Sequence, residues 1–232
     1  MATDSRVFLA VLGGAVTAIP ITWYVLRQCR RPAGWVGRSI LWTMNHRHSK
    51  LTSWGLEHVQ IKRTDSVLDV GCGGGLTISK IAALADLGTT YGVDYSRASV
   101  ASSKSLNRTG IESGKVVVQN APVSQLPFSG DSFDVVTAIE THYYWPDLPG
   151  DIREILRVLK PGGSLLVVAE TFRKGEAATI NQIAMKPLGG ALLSPDDHRD
   201  WFLEGGYTDV QVFLERSKGW ICVTGCKPRD ER

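Results

Sequence analysis

The stretch VLDVGCGGG, residues 67–75, passes from a short, mainly apolar run into four glycines within five positions. A short apolar run bounded by glycine is typical of a buried strand in a parallel sheet. Glycine has no Cβ, so the backbone there can turn sharply and approach a ligand closely. The stretch therefore predicts a strand that ends in a tight turn, with a ligand site at the turn.

Short apolar runs continue to alternate with segments of helical periodicity along the rest of the chain. The predicted strands are residues 67–70, 90–93, 116–118, 133–139, 164–169, 210–214 and 220–224. This alternation predicts an α/β fold, a Rossmann-like and mostly parallel sheet of seven strands with helices on both faces. The turn between the last two runs is too short for a crossover, so we expect the last strand to be antiparallel.

The composition sets limits on the fold and on the partners. A chain of 232 residues is long enough for one large α/β domain and short for two. The net charge of +3 is too small to indicate a nucleic-acid partner. Four cysteines in a chain of this length do not indicate a disulfide scaffold, and their spacing does not indicate a metal site. We therefore expect no bound metal.

The N-terminal segment 7–26 contains no charged residue, and a length of about 20 residues matches the hydrocarbon core of a bilayer. Trp23 and Tyr24 lie near its end, and Arg27 follows them. Aromatic and then basic residues are typical of the cytoplasmic boundary of a membrane helix. We predict a single-pass membrane anchor at residues 1–27, with the main domain in the cytoplasm. A cleaved signal peptide and a buried apolar helix are the alternatives.

A basic helical linker or lid is predicted for residues 28–63, between the anchor and the α/β domain at 64–227; residues 228–232 form a tail. A polar interruption at residues 45–50 is expected to divide this helical segment. Because this segment directly follows the predicted anchor, lipid headgroups are the favoured partner of its basic residues. From Arg27 to Arg63 the single acidic residue is Glu57, and the basic residues between are Arg30, Arg31, Arg38, Arg47, Lys50 and Lys62.

The glycine loop lies where an open α/β sheet binds its ligands, at the carboxyl end of a strand. A dinucleotide fingerprint requires G-x-G-x-x-G; Gly71 and Gly73 fit, but the third position is Leu76. Asp94 ends the second predicted strand, about 20 residues further on, where an acid hydrogen-bonds ribose hydroxyls. The pattern predicts a nucleoside-bearing cofactor and disfavours NAD. A P-loop sequence is absent.

Four motifs in order resemble the class I methyltransferases that use S-adenosylmethionine, over Ser66 to about Gly225. VLDVGCGGG resembles the first motif of that family, and GVDYS at residues 92–96 resembles the second. QNAPVSQLPFSGDSFDVV, residues 119–136, resembles the adenine-binding segment and fourth strand, and LRVLKPGGSLLVV, residues 156–168, the following helix, turn and strand. Within the family, the chain is most similar to the small-molecule group that includes quinone and sterol methyltransferases.

The resemblance implies that S-adenosylmethionine is the cofactor. It places ribose hydroxyls on Asp94, the cofactor amino group near Asp69, and adenine against Tyr95. The cofactor-binding positions that it implies are Asp69, Gly71, Gly73, Asp94, Tyr95, Asn120 and Ala121.

The segment after the fourth strand, residues 140–147, is the expected wall for a methyl acceptor. Methyl transfer is an in-line displacement in which positioning supplies much of the rate, and a base is needed where the acceptor must lose a proton. Glu140 and His142 are the candidate catalytic residues. Tyr143, Tyr144 and Trp145 are candidates for binding a small, lipid-like or aromatic acceptor. An NAD-dependent oxidoreductase and an inactive cofactor-binding protein of the same fold are the alternatives.

Overall fold

The computed structural model describes residues 27–28, 30–173 and 192–229, and within these ranges seven strands form one sheet. The strands are β1 (Ser66–Val70), β2 (Thr89–Asp94), β3 (Val116–Asn120), β4 (Phe133–Ile139), β5 (Leu159–Ala169), β6 (Thr208–Glu215) and β7 (Trp220–Cys226). The α-helices are α1 (Gly34–Leu56), α2 (Leu76–Leu84), α3 (Arg97–Leu106), α4 (Arg108–Glu112), α5 (Leu148–Val158) and α6 (Pro195–Glu204). A 3₁₀ turn covers His142–Tyr144.

The strands follow the order β3-β2-β1-β4-β5-β7-β6. Strands β1 to β5 are parallel to one another, whereas β7 is antiparallel to both β5 and β6. This confirms the predicted seven-stranded, mostly parallel sheet with an antiparallel last strand. The direction of winding reverses between β1 and β4, and the carboxyl ends of these strands border the crevice in which such sheets bind ligands.

Helices cover both faces of the sheet, as predicted. On one face α5 and α6 pack on the strands through Ile152, Ile155 and Phe202, all fully buried. On the other face Leu51 of α1 and Ile81 of α2 pack on the strands. Burying a side chain of this size contributes about 1.5–3 kcal/mol relative to leaving it in water. The sheet is therefore a rigid platform for the loops at its carboxyl edge.

Helix α1 runs without a break through residues 45–50, so the predicted division of this helix is wrong. Two of the polar residues there contact other parts of the domain, and the helix is not interrupted. Asn45 lies directly against the backbone of Gly74, and His48 lies near two carboxylates at the carboxyl edge of the sheet. Tertiary contacts of this kind override weak local helix propensity.

The predicted membrane anchor lies outside the described residues, apart from Arg27. In the described ranges, no helix is long and apolar enough to cross a bilayer. The anchor and the domain boundaries stay predictions.

Candidate active site

A cavity of about 280 Å³ opens at the carboxyl ends of β1, β2 and β4, beside the reversal of strand order. Its volume is close to the lower end of small-molecule pockets, which begin at about 300 Å³. The glycine loop lies on one side, and α1 contributes Leu41 and His48 to the lining. Asp94 and Glu140, from the ends of different strands, both line it. The cavity therefore lies at the strand ends where the sequence predicts a ligand site.

The glycine loop is tight because the protein's own side chains press against it. Gly71 has φ +73°, and a Cβ there would lie 2.7 Å from Cβ of Thr141. A Cβ on Gly74 would lie 2.8 Å from Cγ of Asn45. Gly73 is different, since a Cβ there would lie no closer than 3.8 Å to Leu41 Cδ2. Gly73 also lines the cavity. Gly71 and Gly74 thus allow close packing of the protein's own side chains, and the backbone at Gly73 is open to a ligand.

Asp94 is buried at the cavity wall and held by backbone donors. Its Oδ2 accepts from the Gly73 N–H at 3.0 Å, and its Oδ1 accepts from the Ser96 N–H at 2.8 Å. Burial raises the pKa of Asp94, and these two hydrogen bonds oppose the rise. Each carboxylate oxygen has two lone pairs, so both can accept a further hydrogen bond. This arrangement fits two vicinal ribose hydroxyls.

Tyr95 and Ala121 form the neighbouring wall, as predicted for the adenine side. The Tyr95 hydroxyl donates to the backbone carbonyl of Arg30, and the Ser96 hydroxyl donates to the carbonyl of Pro32 at 2.7 Å. The segment before α1 is thereby fastened over this side of the cavity, which Arg30 and Pro32 also line. An aromatic ring beside a small apolar side chain fits an uncharged adenine ring.

Asp69 and Asn120 do not line the cavity, although both were predicted to contact the cofactor. Asp69 is buried beneath the loop and accepts a hydrogen bond from the Thr137 hydroxyl at 2.7 Å. Burial raises the pKa of Asp69 to about 7. The Asn120 side chain is exposed and donates to the backbone carbonyl of Asp94 at 2.7 Å. Both residues support the loop and strand ends, and their contacts with a cofactor stay predictions.

Another part of the cavity wall begins with Glu140, directly after β4. Tyr144 and Trp145 line the cavity beside it, while Tyr143 is buried and does not. The Tyr143 hydroxyl donates to Glu140 Oε2 at 2.6 Å, and the Glu170 N–H donates to Glu140 Oε1. Burial raises the pKa of Glu140, against the opposing effect of His48. Of the predicted acceptor residues, Tyr144 and Trp145 are thus at the cavity, and Tyr143 acts on Glu140.

His142 is not brought to the cavity, which corrects the expectation that it reaches an acceptor there. A 3₁₀ turn rotates successive side chains by about 120°, so His142 and Tyr144 point in different directions. The His142 ring is buried, with Nε2 at 3.0 Å from Nε2 of His198 and its plane stacked on Trp201. Burial lowers the pKa of His142 well below its usual range and that of His198 to about 4.

The His142–His198 pair predicts a loss of stability on acidification. Both rings are neutral in the folded protein, whereas in the unfolded chain they take up protons near pH 6.5. The stability that the pair contributes is therefore complete above pH 6.5 and declines as the pH falls toward about 4, by up to about 1.4 kcal/mol per pH unit for each histidine.

Urea unfolding at pH 7 and pH 5 measures this effect. The variant His198→Gln should show a smaller drop in the free energy of unfolding between the two pH values than the wild type. The control is His46→Gln, on the exposed face of α1, which should keep the wild-type difference. Equal drops in wild type and His198→Gln would exclude the pair as the cause.

Two charged residues at the site, His48 and Glu170, were not predicted from the sequence. His48 lines the cavity from α1, and its Nε2 lies 3.8 Å from Glu140 Oε2 and 3.6 Å from Glu170 Oε2. The Arg47 guanidinium donates to Glu170 Oε1 at 2.8 Å. One signal was available: Glu140 and Glu170 each follow directly after adjacent parallel strands, β4 and β5, whose ends meet at one edge.

His48, Glu140 and Glu170 offer ligand atoms that all lie within 4.8 Å of one another. Tyr143, the Glu170 N–H and Arg47 already donate to the two carboxylates. Both carboxylates are thus engaged in hydrogen bonds, and we call the three residues a charge cluster beside the cavity.

Residues 68–167 match the family model of a methyltransferase domain. The match covers 100 of the 232 residues of the chain. The matched range begins in β1 and ends in β5, and it includes the glycine loop, Asp94 and Glu140. The resemblance drawn from the four motifs is thereby confirmed, including its cofactor.

Small-molecule methyltransferases are among the relatives of this domain. The chain is 39% identical over 102 residues to cycloartenol-C-24-methyltransferase 1 of Oryza sativa subsp. japonica, covering 44% of this chain and 29% of that protein. It is 28% identical over 170 residues to 27-O-demethylrifamycin SV methyltransferase of Amycolatopsis mediterranei, covering 71% and 61%. The chain therefore spans less than two thirds of the length of either relative.

Among solved structures, the fold is similar to phosphoethanolamine N-methyltransferase 2 of Haemonchus contortus in complex with S-adenosyl-L-methionine. The TM-score is 0.67 at 16% identity, over 78% of this chain and 53% of that one. This likeness shows the shared fold. A methyltransferase domain leaves the NAD-dependent alternative without support.

Proposed function

We propose that this protein transfers the methyl group of S-adenosylmethionine to a small-molecule acceptor by in-line displacement. The observation that carries the proposal is that Asp94 and Glu140 line one cavity beside the glycine loop. When bound, the cofactor supplies a methyl group on a positively charged sulfur, which is already a good leaving group. The protein then has to hold the cofactor and the acceptor in line and to exclude water.

The cofactor side of the cavity is built to bind and orient. Asp94 accepts the ribose hydroxyls, Gly73 allows close approach of the backbone, and Tyr95 and Ala121 contact the adenine. The strap at Arg30–Pro32, fastened to Tyr95 and Ser96, restricts access of water on this side.

The acceptor side is aromatic and carries one buried carboxylate. Tyr144 and Trp145 offer ring surfaces to an apolar or aromatic acceptor, and such rings also attract a sulfonium through cation–π contact. Glu140 is fixed by Tyr143 and by the Glu170 N–H. We propose an aromatic or lipid-like acceptor on this basis.

A methyl-transfer assay tests the proposed function. The full chain is incubated with S-adenosylmethionine labelled in the methyl group and with membrane or soluble metabolite extracts, and products are analysed by mass spectrometry. We expect label in a small molecule with the wild type and none with Asp94→Ala. A wild-type protein that binds the cofactor but labels no fraction would instead support the inactive cofactor-binding alternative.

We also propose that residues 1–27 anchor the chain in a membrane and that the domain faces the cytoplasm. The outer face of α1 supports this, because Trp35 and Trp42 are 74% and 65% exposed there, with Arg38 between them. Residues at this spacing share one helix face, and exposed aromatic and basic residues are typical of a membrane interface. A lid helix lying on the headgroups would admit a lipid-like acceptor from the bilayer.

Alkaline carbonate extraction of cells expressing the full chain tests the anchor. We expect the protein to stay in the membrane pellet. Val16→Arg, which places a charge near the middle of segment 7–26, should move it toward the supernatant, since a central arginine costs about 2.5–3.5 kcal/mol. Ala2→Arg, outside the segment, is the control. Wild-type protein in the supernatant would remove the basis for the anchor.

A further inference from the structure

We propose that His48 is the general base of the reaction, that Glu140 and Glu170 stabilise the cation it becomes, and that the acceptor is a phenol. This inference rests on the proposed methyl transfer and goes beyond it. It arises from the charge cluster, which joins α1 to the ends of β4 and β5 at the cavity.

Other ionisable groups on the acceptor wall are less suited to accept a proton. Glu140 already accepts hydrogen bonds on both oxygens, from Tyr143 and from the Glu170 N–H. His142 lies outside the cavity wall. Among the described lining residues, His48 is the imidazole, and its reference pKa lies closest to neutrality.

The two carboxylates determine how His48 can act. Both face its Nε2, at 3.8 and 3.6 Å, which is longer than a hydrogen bond but close for charges. They favour a proton on Nε2 and leave the lone pair on Nδ1 to accept a second proton. In hydrolase triads a carboxylate that is hydrogen-bonded to the histidine base orients the ring and stabilises the imidazolium. Here the two carboxylates would stabilise the imidazolium through their charge. Glu170, which does not line the cavity, is a positioning residue.

The charges around His48 favour its protonated form. Burial lowers the pKa of His48, and Arg47 also lowers it, but Glu170 and Glu140 outweigh both, so the pKa is raised. A general base must be neutral to act, so the rate should rise with pH through this pKa. Removing Glu170 should lower the pKa and move the acid limb of the pH–rate profile to lower pH.

The proton balance favours a phenol among hydroxyl acceptors. The acceptor oxygen forms a bond to the methyl carbon as the carbon–sulfur bond breaks, with its electron pair retained by sulfur. The hydroxyl proton moves to Nδ1 of His48, and the electrons of the O–H bond stay on oxygen. A phenol has a pKa of about 10, which an imidazole can overcome in a concerted step. An aliphatic hydroxyl, near the value of about 15.7 for water, is a much poorer match.

Two phenols separate general-base catalysis from other roles of His48. 4-Nitrophenol ionises unaided at mildly alkaline pH, whereas 4-methylphenol does not. At pH 8.5 we expect His48→Ala to lower kcat about 10²–10⁴-fold with 4-methylphenol and less than tenfold with 4-nitrophenol, and added imidazole to restore part of the activity. His46→Ala, two residues away on the exposed face, should match the wild type. Equal losses with both phenols, or transfer to neither by a wild type that labels an extract acceptor, would overturn the proposal.

A readout independent of activity is the NMR titration of the His48 ring in the full chain without acceptor. We expect a pKa above the usual value in the wild type and a lower one in Glu170→Gln. Unchanged titration in that variant would contradict the assigned role of Glu170. Loss of activity with a chelator, restored by Mg²⁺ or Mn²⁺, would overturn the proposal in favour of a metal at the charge cluster. Calorimetry should show unchanged cofactor affinity in His48→Ala, which separates this inference from the proposed function.

Discussion

Replacing Asp94 with alanine is expected to weaken S-adenosylmethionine binding by about 100-fold or more. The carboxylate is buried at the cavity wall, and each of two hydrogen bonds from ribose to a charged acceptor contributes about 1.5–3 kcal/mol. The substitution also removes the acceptor that holds the Gly73 and Ser96 N–H groups. Isothermal titration calorimetry of the full chain measures the affinity directly.

A matched carboxylate serves as the control for Asp94. Asp86 pairs with Arg63 on the surface, away from the residues that line the cavity. Asp86→Ala should leave cofactor affinity unchanged. Wild-type affinity in Asp94→Ala would contradict the assignment of this residue to the ribose.

Gly71→Ala is expected to damage both the stability of the fold and cofactor binding. The residue has φ +73°, which strains an alanine, and the added Cβ would lie 2.7 Å from Cβ of Thr141. Strain of this kind costs about 1–3 kcal/mol, and overpacking adds about 1–3 kcal/mol. We expect the free energy of unfolding to fall by roughly 2–6 kcal/mol, with a displaced loop that binds the cofactor at least tenfold more weakly.

Gly114 offers the control for backbone strain alone. It has φ +74°, and a Cβ there would meet nothing within 4 Å. Gly114→Ala should lose about 1–3 kcal/mol of stability and keep full cofactor affinity. Urea unfolding and calorimetry on both variants check the pair. Equal losses at the two glycines would show that the contact with Thr141 does not restrict the loop.

The sheet could be predicted because its signals are local in the chain. The apolar run 67–70, the glycines after it and the acid at position 94 are each short signals that can be recognised without the rest of the chain. The parallel topology then brings the strand ends together. The predicted break in α1 is absent because Asn45 and His48 contact residues that are distant in the sequence. Local propensity carries no information about such partners.

The acceptor wall was only partly predictable for the same reason. The sequence placed residues 140–145 at the cavity, but the 3₁₀ turn directs His142 into the protein and Tyr144 toward the cavity. The charge cluster depends on pairs far apart in the chain, such as Arg47 and Glu170, which are 123 positions apart. Without the arrangement of α1 on the sheet, nothing in the sequence selects His48 among its neighbouring histidines.

In the proposed complex, S-adenosylmethionine binds over the glycine loop with its methyl group turned toward the wall of Glu140 and His48. A crystal structure of the full chain with the bound cofactor would reveal this arrangement. We predict ribose hydroxyls within hydrogen-bond distance of the Asp94 carboxylate and the sulfur on the side of the cavity lined by Glu140 and Tyr144. A cofactor bound elsewhere, or one whose ribose makes no contact with Asp94, would show that this cavity is not the cofactor site.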